Sequence, residues 1–279
     1  MARIVAVHGI GNQYGGEYQL RKNWLPALQD GLARAGADPI DEADLRCAFY
    51  GDLFRPSGKA LDTFYDASDL DDEWEQELLL AWWKEAAHLD PLVSGSDTGG
   101  KGIGWSVLQS ALDGLSQSSF FAGLAETALI GDLKQVRRYL REPDLRSTAR
   151  QRVLAALGPD TNVVIGHSLG SVVAYEALCA AHEQPARTFI TLGSPLGIRH
   201  LIFDQLDPAP NEGLGRWPEG LSRWVNIAAA DDIVALEKNL NSRFGATVID
   251  QLVDNGARVH DVVRYLCTRE VGDAVASGL

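Results

Sequence analysis

The 279-residue chain is 46% hydrophobic and 23% charged, the balance of a folded globular protein and not that of a disordered, collagenous or membrane-bundle chain. A formal charge of −13 argues against a nucleic-acid partner, because phosphate binding needs a local excess of Lys and Arg that no segment supplies. Cys47, Cys179 and Cys267 stand far apart, with no Cys/His grouping at metal-ligand spacing, so free thiols and no metal are expected.

Met1-Ala2-Arg3 leads straight into Ile4-Val5-Ala6-Val7. This apolar run is too short for a secretory signal, which sets the expectation of a cytoplasmic protein. Being continuous and β-branched, it predicts a strand buried on both faces of a parallel sheet. Leu20, Trp24, Leu25, Leu28 and Leu32 then recur at helical spacing and predict a helix over about 18–35, with Pro26 inside it. Residues 45–50 form a second strand candidate, followed by the loop signals Gly51, Pro56 and Gly58.

Regular alternation stops there. Residues 59–142 read as a mainly helical cap inserted into an α/β core made of 1–58 and 143–279. One amphipathic stretch holds Trp74, Leu78, Leu79, Trp82 and Trp83, and another runs from Leu124 to Leu140. Together with Phe120 and Phe121, these tryptophans could line an acyl pocket, although aromatic stripes more often pack a core. Between the stretches, Gly95 to Lys101 has the GxxxxGK spacing. Gly102 replaces the Mg²⁺-binding Ser/Thr and no strand precedes it, so no nucleotide cofactor is expected.

A helix over about 147–157 is followed by a strand at 162–165, a helix over 169–182, and strands at 188–192, 223–228 and 247–253. Repeated strand–helix units predict a doubly wound, mostly parallel α/β sheet. No apolar run is long enough to span a bilayer, so stable membrane insertion is not expected.

Gly166-His167-Ser168-Leu169-Gly170 is a GxSxG sequence set between a predicted strand and a predicted helix. The turn that joins them is sharp enough to force strained backbone angles on the serine, and small residues two before and two after it make room. A serine hydroxyl is a weak nucleophile that needs an adjacent base. His8-Gly9-Ile10-Gly11, at the end of the first strand, can bring backbone N–H groups close to a ligand, so Ile10 and Leu169 are the expected oxyanion donors. His8 itself is expected to pack and hydrogen-bond locally.

The base should follow the serine in the chain. His182 and His200 read as surface residues, whereas His260 follows the last strand across Asp254-Asn255-Gly256 and is the preferred base. The acid should follow the strand at 223–228, where Asp231 and Asp232 are adjacent; position alone leaves both open.

HGIG at 8–11, GHSLG at 166–170, TLGSPLG at 191–197, WVNIAAADDIVAL at 224–236 and DNGARVHDVVRYL at 254–266 together resemble the bacterial lipase-like α/β-hydrolases distantly related to GPI inositol-deacylases. The resemblance covers the chain outside 59–142. It implies an α/β-hydrolase fold, esterase or lipase activity on a small acyl ester, no cofactor, and the acid at Asp232 through the pattern N-x₅-D-x-V-A. The chain departs from the family at Ile233, where proline is common, and in its acidic helical insertion. A thioesterase, amidase or acyltransferase would use the same three residues, and a hydrolase fold reused as a binding module would use none.

Overall fold

Hydrophobic periodicity and the resulting layers are borne out in a computed structural model that describes residues 2–55, 65–95, 104–118, 120, 126–181 and 185–279. Expectations for Lys59, Lys101, Gly102, Phe121 and His182 lie outside these residues. Among the described residues six strands form where β-branched and apolar residues cluster: β1 (Ile4–Val7), β2 (Leu45–Ala48), β3 (Val163–His167), β4 (Thr188–Leu192), β5 (Arg223–Ala229) and β6 (Val248–Val253). They pair in the order β2-β1-β3-β4-β5-β6, and every pairing is parallel. The sheet is thus wholly parallel, a stricter arrangement than the mostly parallel one expected.

β1, β3 and β4 are buried at every position, as strands covered on both faces must be. The edge strand β6 is instead only partly covered, exposing Ile249 and Leu252. The strand ends two residues earlier than the apolar run suggests, and the Tyr50 N–H donates to His8 Nε2 in place of a strand partner.

Nine helices are seen among the described residues: α1 (Glu17–Ala35), α2 (Glu73–Leu89), α3 (Trp105–Gln117), α4 (Glu126–Arg141), α5 (Pro143–Ala156), α6 (Leu169–Ala180), α7 (Asn241–Phe244), α8 (Val262–Leu266) and α9 (Arg269–Ala276). α5 begins four residues before Ser147, since Pro143 at its first turn gives up no hydrogen bond there. α6 stops at Ala180, short of the expected 182.

The two sheet faces carry different layers. Ile4, Ala6, Val163, Ile165, Ile190 and Val225 pack with α1, α8 and α9, whose residues Leu28, Tyr265 and Val271 share that cluster. The alternate residues Val5, Val7, Val164, Phe189 and Trp224 pack with α5 and α6, and the same buried cluster continues without a break through α2, α3 and α4. The helices between β2 and β3 therefore share the core of the sheet. No helix among the described residues is long and apolar enough to cross a membrane.

From β1 the chain winds to β2 on one side, then returns to build β3 to β6 on the other. The direction of winding reverses between β1 and β3. In open α/β sheets, the crevice beyond the carboxyl ends of the strands at such a reversal is where ligands bind. The residues that leave those two ends are His8-Gly9-Ile10 and Ser168.

Candidate active site

Ser168 sits between β3 and α6 with φ 53° and ψ −132°, the left-handed side of backbone space that side chains avoid. Its surroundings account for that conformation. A Cβ on Gly170 would lie 2.3 Å from the carbonyl oxygens of Val7 and His8, and one on Gly166 would lie 2.6 Å from Ser171 Cα. Only glycines let α6 start this close to β1 and turn back this sharply on β3. The Ser168 N–H donates to Leu192 O at 3.0 Å, and Ser171 Oγ donates to Ser168 O while sharing a 2.7 Å hydrogen bond with Ser194 Oγ. The elbow is held from β4 as well as from its own strand and helix.

The loop after β1 lies against the serine: a Cβ on Gly9 would stand 2.7 Å from Ser168 Cβ. His8 is buried and stacked on Tyr50 with ring centroids 4.2 Å apart. Its Nε2 accepts from the Tyr50 N–H, which leaves Nδ1 as the protonated nitrogen, and Nδ1–H donates to Gly9 O at 2.7 Å. Burial pushes its pKa down to about 4. His8 is a neutral strut for this loop. Asn12 Nδ2 ties the loop further by donating to Gly9 O and Ile10 O. From α4, Gln135 Oε1 accepts the Gly11 N–H at 3.3 Å.

β5 and β6 deliver the remaining side chains. Asp232 is fully buried just past β5, and its Oδ2 accepts from His260 Nδ1 at 2.7 Å. Oδ2 also accepts from the Tyr265 hydroxyl at 2.7 Å, and Oδ1 accepts from the N–H groups of Val234 at 3.0 Å and Ala235 at 3.4 Å. Burial raises the Asp232 carboxyl, but the His260 charge and these donors outweigh it and hold the pKa below the ordinary value. Asp231, the other carboxylate left open by position, is exposed to solvent.

Two neighbours fix the ring of His260. A Cβ on Gly193, whose φ of 52° already favours glycine, would strike Asp232 Oδ2 at 2.7 Å and His260 Nδ1 at 3.0 Å. His167, adjacent to Ser168, donates from Nε2 to the His260 carbonyl at 2.9 Å and lies 4.7 Å from its ring. Burial drives the His167 pKa down to about 3, so it is a neutral donor. On the opposite side, His260 Nε2 is buried with no hydrogen-bond partner, and the Ser168 hydroxyl does not bond to it in this structure.

Thus Ser168, His167, His260, Asp232 and the 8–11 loop come together at the carboxyl edge of the sheet, while His200, its side chain 80% exposed, stands apart. Trp74, Trp82 and Trp83 are buried in the helix-packing cluster. Sequence reasoning missed three contributors: Tyr265, Gln135 and, through its electrostatic contact with His260, Asp132 of α4. Polar residues inside the buried stripe Leu129, Ile130, Leu133, Val136 and Leu140 are the signal that could have found the last two. Among the described residues, no three His, Cys, Asp or Glu side chains gather to hold a metal. The chain matches no family model, no curated protein and no solved structure.

Proposed function

We propose that this protein is a serine hydrolase of carboxylic esters, with an α/β-hydrolase type of core and α2 to α4 as a helical cap over the site. The observation that carries the reading is His260: Nδ1 is fixed on a buried carboxylate while Nε2 stays buried and unpartnered, next to a serine held at φ 53°. A histidine arranged in this way has a proton to hold on one nitrogen and a lone pair to offer on the other.

His260 Nε2 takes the Ser168 proton as Oγ attacks the ester carbonyl. Asp232 holds the ring in the required tautomer and stabilises the imidazolium that forms. The carbonyl oxygen, now negative, is received by the N–H groups of Ile10 and Leu169. Leu169 opens α6, so its N–H has no intrahelical acceptor and the positive end of the helix faces the charge. Collapse of the tetrahedral intermediate breaks the C–O bond, and the departing alkoxide takes the proton from His260. Water, deprotonated by the same nitrogen, then releases the acid from Ser168.

Incubation with a fluorophosphonate probe should label Ser168, and Ser168→Ala should lower hydrolysis of p-nitrophenyl butyrate by at least about a thousandfold with an unchanged melting temperature. Unchanged turnover in that variant would overturn the assignment.

A further inference from the structure

α4 brings an acid to the reacting groups that the mechanism above does not use. Gln135 is buried and reaches the 8–11 loop through Gly11. Asp132 lies three residues earlier, on the same helical face. It is half-buried and, among the described residues, makes no hydrogen bond or ion pair; the one charged group acting on it is His260. The Nδ1 side of His260 is filled by Asp232, Tyr265 and Gly193, and one flank of the ring by His167. Asp132 shares its helical face with Gln135, which accepts a hydrogen bond from the loop that abuts Ser168.

We propose that Asp132 hydrogen-bonds a hydroxyl group of the substrate close to the scissile ester, making the preferred substrate an ester of a hydroxylated acid or of a polyol. The inference rests on the serine-hydrolase reading. A partly buried carboxyl group with no partner is costly to keep, and a ligand that pairs with it removes that cost. Burial raises this carboxyl to about 7, with the His260 charge acting in the opposite sense. Near neutral pH it therefore exists in both protonation states. A hydroxyl suits both, donating to the carboxylate and accepting from the carboxylic acid. An ammonium suits only the anion, and an alkyl chain suits neither.

The test compares matched pairs on the purified full chain: p-nitrophenyl butyrate against p-nitrophenyl 3-hydroxybutyrate for the acyl side, and propyl butyrate against glycerol monobutyrate for the alcohol side. The natural chain should favour the hydroxylated member of at least one pair by about tenfold or more in kcat/KM. Asp132→Leu should reduce that ratio to below about twofold, and Asp132→Asn, which keeps an acceptor oxygen, should retain part of it. The ratio cancels any effect on His260 or on folding that both esters share. No preference in either pair, or an equal loss on both members in Asp132→Leu, overturns the inference while labelling of Ser168 still upholds the hydrolase. Absence of both labelling and turnover of all four esters overturns the two together.

Discussion

The two sides of His260 are built by opposite rules. On the Nδ1 side every polar atom is satisfied: Asp232 accepts from a ring nitrogen, a tyrosine hydroxyl and two backbone amides, and Gly193 leaves no room for anything else. On the Nε2 side the ring nitrogen is unpartnered, Asp132 has no hydrogen bond, and the Ser168 hydroxyl is not bonded to His260. Buried polar groups are ordinarily paired. The first side is finished by folding, whereas on the proposed reading the second is completed by a ligand. Substitutions on the first side should therefore act on stability and catalysis together, and on the second side a substitution of Asp132, unlike one of Ser168, should act on substrate choice.

The largest effect on the finished side is expected from Asp232→Asn. The amide cannot hold the ring in the tautomer that frees Nε2, so turnover of p-nitrophenyl butyrate should fall by about a thousandfold or more, whereas Asp231→Asn should stay within about twofold. Equal losses in both variants would erase the distinction between the buried and the exposed carboxylate. The stability of Asp232→Asn, measured by urea unfolding, should also drop, because a net donor replaces part of a carboxylate that accepts four hydrogen bonds.

Next in size is the response to acid. His8 and His167 are buried as neutral side chains with pKa values pushed down to about 4 and about 3, against about 6.5 in an unfolded chain. Between those limits the unfolded chain binds more protons than the folded one, so stability is full above pH of about 6.5 and is lost as pH falls toward the folded values. Asp232, its pKa lowered, acts in the same direction below pH of about 4. Asp132, its pKa raised to about 7, acts oppositely: its contribution is present below pH of about 4 and lost as pH rises through 7. The histidines outnumber it, and the net expectation is a loss of a few kcal/mol between pH 7 and pH 4.5, read from urea midpoints. A flat profile would mean that the buried imidazoles can protonate in place. Asp132→Leu should raise the melting temperature at pH 8 more than at pH 5.

Much of the site is legible in the chain. GxSxG between an apolar run and a helical stripe dictates where Ser168 stands, and the order of the strands then leaves few histidines and acids free to meet it. Asp232 and Asp231 are separated by one peptide, and only the way the chain turns after β5 shows which is buried and which exposed. Tyr265 looks like one more apolar position of a short helix; its hydroxyl matters because α8 folds back beneath Asp232, a tertiary fact with no local pattern. Asp132 and Gln135 were hidden for a different reason. Helices between β2 and β3 reveal their buried stripe by periodicity, but not which part of the sheet the stripe covers. Their core is continuous with that of the sheet, so the boundary drawn at residue 59 by the change of pattern does not mark a separate hydrophobic core.

The smallest effect on the finished side tests how redundant that side is. The Tyr265 hydroxyl donates to Asp232 Oδ2 and accepts the Ala229 N–H, each at 2.7 Å, in a wholly buried position. Tyr265→Phe keeps the ring in the core and removes both hydrogen bonds, leaving one buried amide unpaired. The expected cost in stability is about 1–3 kcal/mol. Asp232 still accepts from His260 and from two amides after this change, so its orientation and the His260 tautomer persist, and kcat/KM should fall by no more than about tenfold. A loss of activity as deep as that of Asp232→Asn would show that Tyr265, and not the backbone amides after β5, fixes the carboxylate. The Nδ1 side would then depend on α8 for its geometry, and loosening of that short helix would be felt at the serine.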